Sequence, residues 1–255
     1  MKIRLAEADY LSAVIVRLRE LLGDRLIGVY PTGSVALDGY RPGRSDLDLI
    51  AVAEQPTPTE VAGIAAGLAH DALPCPATGL EFVLYDRATL GRLTTEAGFA
   101  LNLNTGRELP PKVETSAGDG PRFWYPIDRD ITHQQGQVLT GPDFGSLAAR
   151  QPFPAILDVV TESVAAHLAA LTEHGDNAVL NGCRSLRFHA ERRWTTKPDA
   201  ATWASTHAPP RFAALISAAL ESFGRDRAVG HVVAVDRAGE FLGYVLDRLR
   251  GSASS

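Results

Sequence analysis

The feature that most constrains this chain is a Gly-Ser pair followed, after eleven residues, by an Asp-x-Asp pair beside apolar sequence. Gly33 and Ser34 come soon after the apolar run 26–30, and Asp46 and Asp48 open a second apolar run. Because side chains two residues apart in a strand share one face, both carboxylates are expected to point the same way. Such a pair repels itself unless a divalent cation lies between the two groups, and oxygen ligands suit Mg²⁺.

The Gly-Ser pair predicts the phosphate-binding half of the same site. Gly33 stands where the chain leaves a predicted strand, and glycine allows the backbone to approach a ligand closely. Ser34 offers a hydroxyl and an amide at the start of a short predicted helix, a favourable position for phosphate. Paired Asp residues near strand ends also occur as turn or capping groups. The adjoining Gly-Ser turn favours a metal-dependent nucleotide site.

Hydrophobic periodicity divides the chain into an α/β part, residues 1–150, and a helical part, residues 151–250, with a disordered tail at 251–255. The first part predicts a mixed sheet with flanking helices. Its predicted helices are 6–22, 34–38, 59–73 and 124–135, and its predicted strands are 26–30, 46–52, 80–85, 99–104 and 137–140. The breaker-rich segment 109–122 is expected to be a mobile loop. The second part predicts an all-α bundle, with helices at 156–173, 177–194, 198–207, 212–223 and 239–250.

Composition limits the class of partner. The 255 residues are 45% hydrophobic, enough for a proper core, and carry a formal net charge of −5 with no basic run. Extended contact with a nucleic-acid backbone is therefore disfavoured, and a cationic substrate is favoured. No signal peptide or membrane span is visible, so a cytoplasmic location and no membrane partner are expected. The protein is also expected to be a monomer. Cys75 and Cys183 lack metal-site or disulfide spacing and are predicted to be buried free thiols.

A third carboxylate is expected on a strand next to the Asp pair, to take the proton of an attacking hydroxyl. Glu81 lies at the start of the predicted strand 80–85 and is the leading candidate, although an exposed strand-end charge is the alternative. Glu54 and Glu60 follow the end of the Asp strand and are expected to lie beyond reach.

Three segments of the helical part carry distinctive motifs: Asn177-Ala-Val-Leu-Asn-Gly-Cys-Arg184, Lys197-Pro-Asp-Ala-Ala-Thr-Trp-Ala204 and Glu240-Phe-Leu-Gly-Tyr244. These segments resemble the aminoglycoside nucleotidyltransferases that modify streptomycin and spectinomycin. The Gly-Ser and Asp-x-Asp elements resemble the wider nucleotidyltransferase superfamily of DNA polymerase beta type. With the first-domain elements, the resemblance spans most of the chain.

The resemblance implies roles for particular residues. Gly33 and Ser34 would bind ATP, Asp46 and Asp48 would bind its Mg²⁺ as well, and Glu81 would be the base. Arg184, Lys197 and Tyr244 would reach the nucleotide from the second domain. Glu173 and Asp176 loosely match acidic residues that hold the substrate in those relatives.

The implied reaction is ATP- and Mg²⁺-dependent adenylylation of a hydroxyl on a small cationic acceptor, an aminoglycoside or aminocyclitol. The stretch 99–107 lacks the substrate-contacting Trp of streptomycin-modifying members, and Trp124 is the nearest. Which drug is the acceptor is therefore left open. Two other functions are a nucleotidyltransferase for another acceptor, a metabolite or a partner protein, and a non-catalytic nucleotide-binding regulator. The Asp pair and Glu81 argue against the regulator, which needs no base.

Overall fold

A five-stranded mixed sheet is the framework of the first of two units, which divide after Gln151. The computed structural model describes residues 3–118, 121–172, 175–225 and 233–251. In the first unit the helices are α1 Leu5–Leu22, α2 Gly33–Ala36, α3 Pro58–Leu68, α4 Arg87–Leu90 and α5 Trp124–Gln135. The strands are β1 Leu26–Pro31, β2 Leu47–Ala53, β3 Leu80–Asp86, β4 Leu101–Thr105 and β5 Lys112–Glu114.

The strands lie in the sheet in chain order, β1 to β5. The pairs β1–β2, β3–β4 and β4–β5 are antiparallel, whereas β2 and β3 are parallel and are connected through α3. Parallel neighbours need such a crossover, while the antiparallel pairs do not. The starts of β2 and β3, which carry the carboxylates, therefore lie side by side at one end of the strands.

Side-chain alternation gives the sheet two different faces. On β2, Leu47 and Leu49 belong to a core that packs against α1 and α3, whereas Ile50 and Val52 belong to a second core that includes Tyr125 of α5. Asp48 alternates with the second set, so its side chain belongs to the face that α5 covers. The sequence period of two therefore decides which helix can approach the acidic residues.

In the second unit, which begins at Pro152, every regular element among the described residues is a helix. They are α6 Phe153–Ala169, α7 Asp176–Glu191, α8 Lys197–His207, α9 Ala213–Phe223 and α10 Val235–Arg250. Helix α7 packs against each of the other four, and its Val179, Leu180 and Cys183 are fully buried. The mixed sheet with flanking helices, followed by an all-helical part, confirms the predicted fold class.

Two predictions about the first unit were wrong. The expected mobile loop 109–122 contains β5, in which Val113 pairs with Leu103 of β4. Three residues are too few for a periodic pattern, and charged Lys112 and Glu114 suit an edge strand. The predicted strand 137–140 reduces to one bridge between Thr140 and Val29, because Gly136, in a left-handed conformation, ends α5 just before it.

Several predicted boundaries also move. Asp46 precedes β2, which begins at Leu47. Helix α3 ends at Leu68, and the backbone N–H of His70 bonds the Thr105 hydroxyl at 2.7 Å in place of a further helical turn. Helix α6 begins before Pro154, because proline is tolerated in a first helical turn.

Both Cys75 and Cys183 are free and buried, as predicted. Among the described residues, no helix is long and apolar enough to cross a membrane. Residues 252–255 of the predicted tail lie outside the described residues.

Candidate active site

The Gly-Ser turn lies against the start of β2 because β1 and β2 are antiparallel neighbours. The chain leaves β1 at Pro31, and the Thr32 N–H donates to the Asp48 carbonyl at 2.9 Å. Gly33 follows with φ +52°, and a side chain there would collide with the Asp48 carboxylate. Only glycine satisfies both the backbone angle and the space. The two sequence motifs are thus brought together directly.

The Asp48 carboxylate is the centre of this arrangement. The Ser34 N–H donates a hydrogen bond to it, which favours the charged form. Burial nevertheless raises the pKa of Asp48 well above its usual range, and the charges of Asp46 and Glu81 raise it further. The carboxylates are therefore close enough to repel one another, as the sequence pattern predicted.

Glu81 is the strand carboxylate that the structure brings to the pair. In the parallel register of β2 and β3, it is the direct partner of Asp48. The two alternatives lie elsewhere: Glu54 is half-exposed beside Arg87, and Glu60 caps α3 through Thr57 and pairs with Arg25. Each of those two has a local structural role, which leaves Glu81 as the strand candidate for the base.

Asp128 is a further carboxylate at this site that sequence reasoning missed. Its negative charge also raises the pKa of Asp48. The Thr32 hydroxyl donates to the Asp128 main-chain carbonyl at 3.0 Å, which connects α5 to the residue before Gly33. A second Asp-x-Asp, Asp128 and Asp130, is visible in the sequence, but nothing in the helical pattern shows which helix faces the motif.

The first-unit residues fit a magnesium nucleotide better than a metal ion held by protein alone. Across the described ranges, no three His, Cys, Asp or Glu side chains form a ready-made metal cage. Mg²⁺ usually binds through one or two carboxylates and completes its shell with water and substrate phosphates. Asp46 and Asp48 match that requirement. The buried Ser34 hydroxyl has no hydrogen-bond partner within the described residues, as expected of a group that awaits a ligand.

In the second unit, a cluster of polar side chains joins α6, α7 and α8. Lys197 Nζ donates to the Asn177 side-chain oxygen at 2.7 Å, and the Asn181 amide lies 3.1 Å from His167 Nε2. His167 Nδ1 faces a main-chain carbonyl, so Nε2 is the acceptor. Burial lowers the pKa of His167, and the charges of Lys197 and Arg184 lower it further. The cluster holds two cations beside a neutral imidazole, a composition suited to an anion.

Two of the other predicted second-unit residues, Tyr244 and Asp176, take part in helix packing. The Tyr244 ring lies 5.4 Å from the Phe212 ring. Asp176 is 8% exposed and accepts a 2.7 Å hydrogen bond from the Ser222 hydroxyl of α9. Glu173 lies outside the described residues. The predicted nucleotide and substrate contacts of these three residues stay predictions.

Comparison with known proteins identifies the second unit. Residues 150–248 match the family profile described as aminoglycoside adenylyltransferase, C-terminal domain. The helical unit is similar to this domain family. No curated protein matches the whole sequence significantly.

The fold of the whole chain is similar to that of a solved adenylyltransferase. The similar structure is spectinomycin adenyltransferase AAD(9) from Enterococcus faecialis, crystallised with ATP and spectinomycin. The TM-score is 0.70 at 16% identity, and the match covers 95% of this chain and 99% of the other. At that identity the likeness establishes the shared fold. The domain family and the fold together confirm the predicted resemblance and the predicted enzyme class, a nucleotidyltransferase.

Proposed function

We propose that this protein transfers the adenylyl group of ATP, with Mg²⁺, to a hydroxyl of an aminoglycoside or aminocyclitol and releases pyrophosphate. The observation that carries the proposal is the meeting of three strand ends. One end of the strands carries all of these groups: Gly33 and Ser34 after β1, Asp48 on β2 and Glu81 on β3. A phosphate-binding turn, a metal-binding carboxylate and a base are the parts that such a transfer needs.

The nucleotide side of the reaction depends on the Gly-Ser turn and the Asp pair. Gly33 lets the backbone approach the phosphates, and the unpartnered Ser34 hydroxyl can donate to them. Asp46 and Asp48 would hold the Mg²⁺, which when bound withdraws charge from the α-phosphate and from the departing pyrophosphate. The repulsion that raises the pKa of Asp48 is relieved when a cation is bound.

Glu81 would act as the general base on the acceptor. Its carboxylate takes the proton of the acceptor hydroxyl, and the oxygen attacks the α-phosphorus in line. A new P–O bond forms to the acceptor, while the bond between the α-phosphorus and the bridging oxygen breaks and pyrophosphate leaves with that electron pair. The position of Glu81 directly beside Asp48 supports this role, since base and metal must act on adjacent atoms.

The charge of the site favours a cationic acceptor. Asp128 adds a carboxylate beyond those assigned to metal and base, and the chain as a whole is negative by five charges. Trp124 lies one helical turn before Asp128 on α5 and is 42% exposed, so an aromatic surface is available on the same side of that helix. Aromatic faces and carboxylates together bind cation-bearing rings. Spectinomycin in the similar structure is consistent with this acceptor class.

The proposal is tested by measuring pyrophosphate release from ATP and Mg²⁺ across a panel of aminoglycosides and aminocyclitols. We expect release only in the presence of an acceptor, with the adenylylated product detected by mass spectrometry, and none from Asp48→Asn. If pyrophosphate is released only with a metabolite or a protein as acceptor, the reaction stands but the antibiotic is not its acceptor. ATP binding without any transfer would instead support a regulator.

Lys197 and Arg184 are proposed to bind the phosphates of ATP, together with Tyr244. Replacing Lys197 by Ala removes one charged donor, so ATP affinity should fall by about 1.5 to 3 kcal/mol. Acceptor binding should weaken through linkage by about 1 to 3 kcal/mol. Isothermal titration calorimetry with ATP measures the first quantity. The second is measured by titrating acceptor into the ATP complex of Glu81→Gln, with and without Lys197→Ala.

The matched control for this substitution is Lys112→Ala. Lys112 pairs with Glu114 on the exposed edge strand β5 and carries the same charge. It is expected to bind ATP like the parent. If Lys197→Ala also binds ATP like the parent, Lys197 serves only its hydrogen bond to Asn177.

A further inference from the structure

Asp46 belongs to an irregular segment, residues 37–46, that joins α2 to β2. It is the last residue of this segment and comes just before Leu47, whose N–H donates to the Gly79 carbonyl at 2.9 Å and begins the strand. Within the segment, the Ser45 N–H donates to the Arg41 carbonyl at 2.8 Å, and the Arg41 N–H donates to the Ser45 hydroxyl at 3.1 Å. These bonds give the segment a local turn, and the Gly39 N–H, which donates to the Ser34 carbonyl at 2.9 Å, attaches its start to α2.

Tyr40 attaches the segment to α1. Its side chain is 9% exposed, and its hydroxyl donates a 2.9 Å hydrogen bond to Glu7 Oε1. Glu7 lies in the first turn of α1, is completely buried and also pairs with Arg4. The Tyr40 ring packs in the same core as Tyr10 and Leu11 of α1. A directional bond therefore determines where the middle of the segment lies.

A buried carboxylate at Glu7 is costly and calls for an explanation. Burial alone would raise the pKa of Glu7, but hydrogen bonds from Arg4 and Tyr40 outweigh it, and the pKa is lowered. Glu7 is thus charged inside the unit, where an apolar residue would avoid the desolvation cost. Hydrophobic packing is non-directional, whereas a charge-assisted hydrogen bond specifies one position of the Tyr40 hydroxyl.

We propose that Glu7 and Tyr40 are positioning residues, which hold the segment 37–46 so that Asp46 lies beside Asp48 when the metal binds. The proposal rests on the proposed function, because it accepts that Asp46 and Asp48 are the metal ligands. The residues act through the chain between Tyr40 and Asp46 and touch neither metal nor nucleotide. Groups that hydrogen-bond metal ligands directly are worth about 10- to 100-fold in metal affinity, and Tyr40, which acts through the chain, is expected at the lower end of that range.

The experiment measures Mn²⁺ binding by electron paramagnetic resonance, with an ATP analogue that has a methylene α–β bridge and cannot transfer its adenylyl group. Tyr40→Phe keeps the ring and loses only the hydroxyl, and we expect about 10-fold weaker Mn²⁺ binding. Tyr30→Phe is the matched control. It loses a similar, partly buried hydrogen bond, 2.8 Å to the Pro142 carbonyl, but anchors a different segment. Its Mn²⁺ affinity should equal that of the parent.

Two substitutions of Glu7 test the same bond without changing Tyr40. Glu7→Gln keeps an acceptor oxygen for the Tyr40 hydroxyl, so its loss of Mn²⁺ affinity should be smaller than that of Glu7→Met. Equal Mn²⁺ affinities for the parent, Tyr40→Phe and Glu7→Met, with lowered melting temperatures, would show a packing role only and overturn the proposal. If the parent and Asp48→Asn bind Mn²⁺ equally well, the metal assignment and with it the proposed function are overturned as well. That result separates the two failures.

Discussion

Replacing Asp48 by Asn is expected to abolish nearly all adenylyl transfer while the fold is retained. The amide keeps the shape of the side chain but removes a charged Mg²⁺ ligand at the centre of the acidic residues. In the ligand-free protein the change also removes repulsion from Asp46 and Glu81, the same repulsion that contributes to the raised pKa of Asp48. Initial rates of pyrophosphate release measure the loss, and thermal unfolding followed by circular dichroism should show an unchanged or higher midpoint.

Asp24→Asn is the control for charge alone. Asp24 is exposed in the short 3-10 turn before β1, at the opposite end of that strand from the Gly-Ser turn, and its replacement should leave the rate unchanged. Asp46→Asn should behave like Asp48→Asn, because both carboxylates are assigned to the metal. Retention of more than about a tenth of the parent activity by Asp48→Asn would contradict the metal assignment, since removal of a ligand from such a site is expected to cost more.

Glu81→Gln is expected to lower the rate of transfer by about 10² to 10⁴ while ATP affinity stays near that of the parent. Glutamine has the same length and can still hydrogen-bond the acceptor hydroxyl, but it cannot accept its proton. Single-turnover measurement of product formation separates the chemical step from binding, and calorimetry with Mg-ATP gives the affinity.

The exposed Glu20 of α1 supplies the matched control, Glu20→Gln, which should change neither quantity. A variant at Glu81 that loses ATP affinity and keeps its rate would make Glu81 a metal ligand or a structural group. The same pair of measurements therefore separates a base from a ligand, a distinction that the register of β2 and β3 alone does not make.

Much of the first unit's site could be predicted because its information is local. Gly33 and Ser34 stand beside a strand pattern, and a period of two places Asp48 and Glu81 on defined faces of their strands. The choice of Glu81 over Glu54 and Glu60 followed from distance along the chain. The structure gives the two rejected residues local partners of their own, Arg87 for Glu54 and Thr57 for Glu60.

Residues that act across long sequence separations could not be predicted in this way. Asp128 reaches the site because α5 covers the sheet face that carries Asp48, and a helical pattern does not say which face of which element it will cover. The buried bond between Glu7 and Tyr40 joins residues 33 positions apart. From the local sequence pattern alone, Glu7 would be expected to be a solvated residue in the first turn of a helix.

The sequence by itself determined the order of elements, the two units and the identity of the Gly-Ser and Asp-x-Asp motifs, because periodicity and turn chemistry act between neighbouring residues. Only the tertiary structure decided that Asp46 lies outside β2, that β5 completes the sheet edge, and which helix adds a carboxylate to the site. These outcomes depend on pairing and burial between distant segments, whose energies no local pattern records.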